Sequence, residues 1–176
     1  MIRVTLLLLL LMFLSGPLYA DLLRDMRADK LHGTAMMFSL NDLAGNPQSL
    51  EQWRGKVVLL NFWATWCGPC RAEMPGMERL WQRYRDDGLV IVAVSVDEGM
   101  EKRVAKFVDI LQLSYPILLD PDSAVSDRYQ VSGLPYSLLI GSEGELLAKV
   151  VGERQWDSAE AFSLIEKLLA EQIEES

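Results

Sequence analysis

Trp66-Cys67-Gly68-Pro69-Cys70 contains both cysteines of the chain. It follows the apolar run Val57-Val58-Leu59-Leu60-Asn61-Phe62-Trp63 and precedes a stretch with helical periodicity, so a dithiol lies at a strand-to-helix junction. A thiol at a helix start meets unpaired backbone N–H groups and the positive end of the helix dipole, and both favour the thiolate. Cys67 is therefore the expected nucleophile. Its attack on a substrate disulfide gives a mixed disulfide. Cys70, about one helical turn further in, is placed to resolve it by attacking Cys67.

Three other readings compete. A structural zinc site needs four ligands, and the chain has two Cys and one His, His32, so no metal site is expected. A structural staple is weak, because closing so short a loop removes little unfolded-chain entropy. Inert buried cysteines remain, against which Gly-Pro at a helix start argues.

Outward from the motif, the flanks read as one α/β domain. Val57 to Trp63 is apolar on both faces, as in a central strand covered on both sides, with Asn61 its one polar interruption. In the helix that follows, Glu73, Met77, Leu80 and Tyr84 share one stripe. Periodicity alone leaves Glu73 open, either as a core-facing acid near Cys70 or as a solvated first-turn acid favoured by the dipole.

Further on come a strand over Leu89 to Val96, a helix from Met100, a strand over Pro116 to Leu119 and a short helix over Val125 to Tyr129. Strands over Tyr136 to Ile140 and Leu146 to Val151 form a hairpin through Ser142-Glu143-Gly144. A last helix follows with Asp157 as its N-cap. Alternating strands and helices predict a central, partly parallel mixed sheet flanked by helices. Upstream, Met36 to Leu40 reads as a strand, and a short helical turn spans Leu50 to Arg54.

The N-terminus has a different character. Arg3, then the apolar Val4 to Leu14, then Ser15-Gly16-Pro17-Leu18-Tyr19-Ala20 has the layout of an export signal. Leu18 is bulky where a small residue is usual, so residues 1–20 are expected to be a signal peptide or a retained N-terminal membrane anchor. Residues 21–33, which carry His32, read as a charged linker or short helix, and 34–176 as the folded domain. The dithiol is then exported, in a domain with no other cysteines to staple it. The formal net charge is −8, and loss of residues 1–20 removes only Arg3, leaving 16 basic against 25 acidic residues and a net charge of −9. Such a surface repels phosphate backbones, so nucleic acid is not an expected partner.

The sequence resembles the thioredoxin superfamily, and within it the exported TlpA/ResA-like thiol-disulfide oxidoreductases. The resemblance is carried by Phe38-Ser39-Leu40 with Asp42-Leu43, Arg54-Gly55-Lys56, the run Asn61 to Pro75, Val94-Ser95-Val96-Asp97 and Tyr129 to Pro135. It implies a thioredoxin-like fold with an N-terminal β extension and an inserted helix–strand unit. It also implies that Pro135 is the family's cis-proline, facing the dithiol, so that Trp66, Gly68, Pro69, Leu134 and Pro135 contact the substrate segment. Asn61 stands where cytosolic thioredoxins carry a buried aspartate. The TlpA/ResA-like branch associates an acid three residues after the second cysteine with the active site, and Glu73 matches it.

The resemblance further implies a periplasmic enzyme, soluble or tethered, that needs no cofactor. Its clients would be disulfide-containing proteins, apocytochrome c among the candidates, and a membrane thiol-disulfide electron donor would keep it reduced. Gly-Pro between the cysteines is the pair found in reducing members, which favours a protein-disulfide reductase over a dithiol oxidase. A peroxidase is disfavoured, because Ala64-Thr65-Trp66 precedes Cys67 in place of the peroxiredoxin spacing. A copper-delivery protein of similar fold is the non-enzyme alternative, and it requires His32, Met36 or Met37 to fold over the cysteines.

Overall fold

The computed structural model describes residues 19–175. The expected signal or anchor therefore lies outside the described residues except for its last two positions. Among the described residues no helix is long and apolar enough to cross a membrane.

Among the described residues eight strands form one mixed sheet: β1 (Ala28–Lys30), β2 (Ser39–Asp42), β3 (Pro47–Ser49), β4 (Val57–Trp63), β5 (Leu89–Ser95), β6 (Ile117–Leu119), β7 (Tyr136–Ile140) and β8 (Leu146–Val151). Their order across the sheet is β1-β8-β7-β4-β5-β6-β2-β3. The β4–β5 and β5–β6 pairs are parallel, and the other pairs are antiparallel. Besides a helical stretch over residues 19–25, the described helices are α1 (Gly68–Tyr84), α2 (Glu101–Ile110), α3 (Ala124–Arg128) and α4 (Ala159–Glu175), with 3-10 turns at Leu50–Trp53 and Arg85–Asp87. Parallel neighbours need crossovers, which α1 and α2 supply.

Side chains of a strand alternate between faces, and the core divides accordingly. Val57, Leu59 and Trp63 of β4 join a buried cluster with Met74, Met77, Leu80 and Tyr84 of α1 and with Leu164, Ile165 and Leu168 of α4. Val58, Leu60 and Phe62 join a second cluster with Phe38, Leu50, Tyr129 and Tyr136. Asn61, on the first face, is the polar exception in β4 and is fully buried.

Two sequence expectations are corrected. Of the two readings of residues 21–33, the short helix holds and the linker does not: residues 19–25 are helical, Leu22, Leu23 and Met26 are buried in the first cluster, and β1 pairs with β8. The apolar positions at 22, 23 and 26 have helical spacing, and their burial outweighs the charged composition around them. The last helix is capped by Ser158, whose hydroxyl accepts from the Ala161 N–H at 3.2 Å, and not by Asp157. Asp157 instead pairs with Arg79 at 2.7 Å.

Gly76 brings α1 close to the loop before α4. A Cβ there would lie 3.0 Å from Asp157 Oδ1 and 3.5 Å from the Trp156 backbone nitrogen. Gly76→Val is therefore expected to destabilise the protein by about 1–3 kcal/mol, through overpacking against backbone. The readout is a lower urea midpoint at unchanged m-value.

Candidate active site

The junction of β4 and α1 is held by a buried carboxylate. Asp97, just after β5, accepts from the Thr65 N–H at 2.8 Å and from the Ser95 hydroxyl at 2.8 Å through Oδ2. Its Oδ1 accepts from the Thr65 hydroxyl at 2.6 Å. Because β4 and β5 are parallel and pair through Trp63 and Ser95, their following turns emerge at the same end of the sheet, and Asp97 ties one turn to the other. The chain is thereby directed into α1 with Cys67 as N-cap.

Cys67 and Cys70 are joined by a disulfide. Cys67 Sγ accepts from the Cys70 N–H at 3.2 Å, so a helix-start donor points at the sulfur expected to attack. Cys70 is fully buried, whereas Cys67 retains 6% exposure and has exposed neighbours in Trp66, Gly68 and Pro69. Trp66 is 62% exposed, an unusual position for the largest apolar side chain. A partner can reach the pair only from the Cys67 side.

The Leu134–Pro135 peptide bond is cis. The β4–β7 register pairs Phe62 with Tyr136, which sets Pro135 level with the end of β4, from which the chain turns to the cysteines. Leu134 packs against the buried cluster that contains Cys67 and Cys70.

Glu73 is a core-facing acid and not a solvated one, with 3% exposure. Its Oε1 accepts from Asn61 Nδ2 at 2.9 Å. Its Oε2 accepts from the Arg154 backbone N–H at 3.1 Å and from the Trp156 indole N–H at 3.3 Å. Burial pushes its pKa up from 4.5 to about 7, against the three hydrogen bonds, which favour the ionised form. A carboxyl that titrates near neutrality, one helical turn from Cys70, can take up and release a proton.

Asn61 also donates to Ser137 Oγ at 2.9 Å, while its Oδ1 has no partner. A neutral amide suits this position. An aspartate at 61 would bring a second carboxylate against Glu73, and two such groups cannot both ionise at hydrogen-bond distance.

The sequence does not announce Arg154 and Trp156 as partners of Glu73, or Ser137 as a partner of Asn61. The one available signal was a tryptophan standing alone in a polar turn before the last helix. The arrangement the copper reading requires is not found. Leu31 and Gly33 pair with Leu147 and Leu146, next to the β7–β8 turn. Since Ile140 pairs with Val58, that turn and His32 lie at the opposite end of β4 from the dithiol. Met37 lines a small cavity with Val58 and Ile140 at the same end.

Comparison with known proteins agrees with this geometry. The AhpC/TSA family matches residues 32–149. A thiol-disulfide oxidoreductase ResA from Bacillus cereus is 35% identical over 160 residues, 91% of this chain and 92% of its own. Its counterpart from Geobacillus thermodenitrificans is 39% identical over 150 residues, 85% of this chain and 86% of its own. Among solved structures, a thiol:disulfide interchange protein from Bacteroides sp. superposes with a TM-score of 0.68 at 28% identity, covering 79% of this chain and 90% of that one.

Proposed function

We propose, from the premise that this chain belongs to the AhpC/TSA family and is a ResA-like thiol-disulfide oxidoreductase, that it reduces protein disulfides outside the cytoplasm. The observation that carries this reading is the cysteine pair itself: Cys67 caps α1 beside exposed Trp66, Cys70 is enclosed behind it, and Glu73 is buried one turn further on.

In the proposed reaction the Cys67 thiolate attacks one sulfur of a client disulfide, and the other client sulfur leaves as a thiolate. Cys70, losing its proton to Glu73, attacks the Cys67 sulfur and expels the second client sulfur. Two electrons pass to the client, whose two thiolates take one proton back from Glu73 and one from water, and the pair is left as the disulfide. Trp66, Gly68, Pro69, Leu134 and Pro135 form the surface that receives the client segment. A peroxidase step is not favoured, because the Thr65 hydroxyl ahead of Cys67 is committed to Asp97.

Residues 1–20, read as a signal or anchor, put the folded domain in the periplasm. There a membrane thiol-disulfide donor re-reduces the pair, and apocytochrome c is a fitting client. The deciding measurement is the reduction potential of the Cys67–Cys70 couple against glutathione. A reductase is expected nearer roughly −270 mV than roughly −120 mV. A value at the oxidising end would overturn the direction and make the protein a dithiol oxidase.

A further inference from the structure

The loop between β8 and α4 meets Glu73 with two donors and faces the N-terminal segment with one side chain. Arg154 places its backbone N–H, and Trp156 its indole N–H, on the same carboxyl oxygen, Oε2. The Arg154 guanidinium points the other way. Its Nε donates to the Met26 carbonyl at 2.7 Å, Nη2 to the Arg27 carbonyl at 3.2 Å, and Nη1 to the Glu153 and Gly152 carbonyls at 2.7 Å and 3.3 Å. Met26 and Arg27 end the segment whose Leu22, Leu23 and Met26 are buried in the cluster that holds Cys67, Cys70 and Met74. Trp156 is fully buried in that cluster as well.

We propose that Arg154 and Trp156 are positioning residues for Glu73, their N–H groups fixing Oε2 while the Arg154 guanidinium anchors the loop to the carbonyls of Met26 and Arg27. Residues 19–27 are thus a support of the active-site acid as well as a lead-in to the domain. The inference rests on the reading of Glu73 as the proton-transfer group.

The physical ground is that a donor to a buried carboxylate stabilises its ionised form, so loss of a donor raises the pKa. The titratable and charged groups facing Glu73 are few. The charge of Glu153 adds to the upward push. Tyr115 is held neutral by burial, and Arg154 remains cationic. Cys67 and Cys70 start the same helix. The polar groups on the sheet side are Asn61 and Ser137.

The test compares the full chain with Trp156→Phe, Glu73→Gln and the double variant, following the pH dependence of exchange between the reduced protein and oxidised glutathione. Trp156→Phe keeps an aromatic ring, smaller than the indole, and removes the donor. It is expected to move the Glu73-dependent limb of the profile upward by about one pH unit, a size set by a hydrogen bond to a charged group. In the Glu73→Gln background it should move nothing. A tryptophan that only fills space would instead change the rate by one factor at every pH in both backgrounds, and that result would overturn the proposal.

Arg154→Gln, which removes the anchoring fork, is expected to shift the profile in the same direction, and Arg154→Lys to restore part of it. A carbon-13 titration of the Glu73 carboxyl reads the pKa directly. An unmoved titration in both Trp156→Phe and Arg154→Gln overturns the inference. A shifted titration with a rate profile indifferent to Glu73→Gln upholds the clamp and removes Glu73 from the exchange step. Should Trp156→Phe fail to fold, the titration of Arg154→Gln decides alone.

Discussion

Cys70→Ser is expected to accumulate mixed disulfides with client proteins, and Cys67→Ser to accumulate few or none while its exchange activity falls to the background of free thiols. The asymmetry follows from position. Cys67 caps α1, receives the Cys70 N–H at 3.2 Å and retains the only exposure in the pair. Cys70 is fully enclosed, so an incoming disulfide cannot reach its sulfur without the helix start moving. With Cys70 replaced, attack by Cys67 still proceeds and no resolving thiol follows, so the covalent intermediate persists. Non-reducing electrophoresis of cell extracts carrying each variant reads the outcome, and mass spectrometry of the trapped band identifies the client. Equal trapping by both variants would mean that the assignment of attacking and resolving sulfurs is wrong.

Glu73→Gln is expected to slow exchange and to stabilise the fold above neutrality. The sign follows from the raised pKa, which goes from 4.5 to about 7 in the folded protein. Below 4.5 the carboxyl is protonated in both states, so its burial carries no charge penalty. Between 4.5 and about 7 the native state holds a proton that the unfolded state has released, so stability falls as pH rises through that window. Above it the buried carboxylate costs the full difference, on the order of 3 kcal/mol for a shift of this size.

Glutamine removes that cost, provided its amide finds partners. Its oxygen can keep the Arg154 and Trp156 donors, and its NH2 then faces Asn61. A half-turn of the Asn61 amide would present Oδ1, which has no partner now, to that NH2. The same rotation serves a protonated Glu73, so Asn61 accommodates both states of the acid, which an aspartate would not. Urea unfolding should show a gap between Glu73→Gln and the parent that widens from acid to pH 8, together with a displaced titration of the cysteine pair, since thiols and acid are coupled. Identical stability across pH and an identical thiol titration would reduce Glu73 to a packing residue.

Much of this protein was legible in the order of its residues. The helix-start dithiol, the doubly buried strand before it and the alternation of strands and helices depend on local spacing, which the chain displays directly. The Glu73, Met77, Leu80 and Tyr84 stripe reads off for the same reason. What spacing could not decide was whether Glu73, at the rim of that stripe, faced water or the core. That depended on Asn61, Arg154 and Trp156, which come from 12 to 83 residues away and meet it only when β4, α1 and the β8–α4 loop close together.

The segment before β1 stays open between linker and helix in the sequence for a related reason. Its charges are visible in sequence, whereas the partners of Leu22, Leu23 and Met26 lie in helices and strands far along the chain. Local propensity and periodicity name the elements and place the cysteine pair at the helix start. Desolvation, and with it the pKa of the acid one turn further on, belongs to the packed assembly, because burial is a property of neighbours that no single stretch contains.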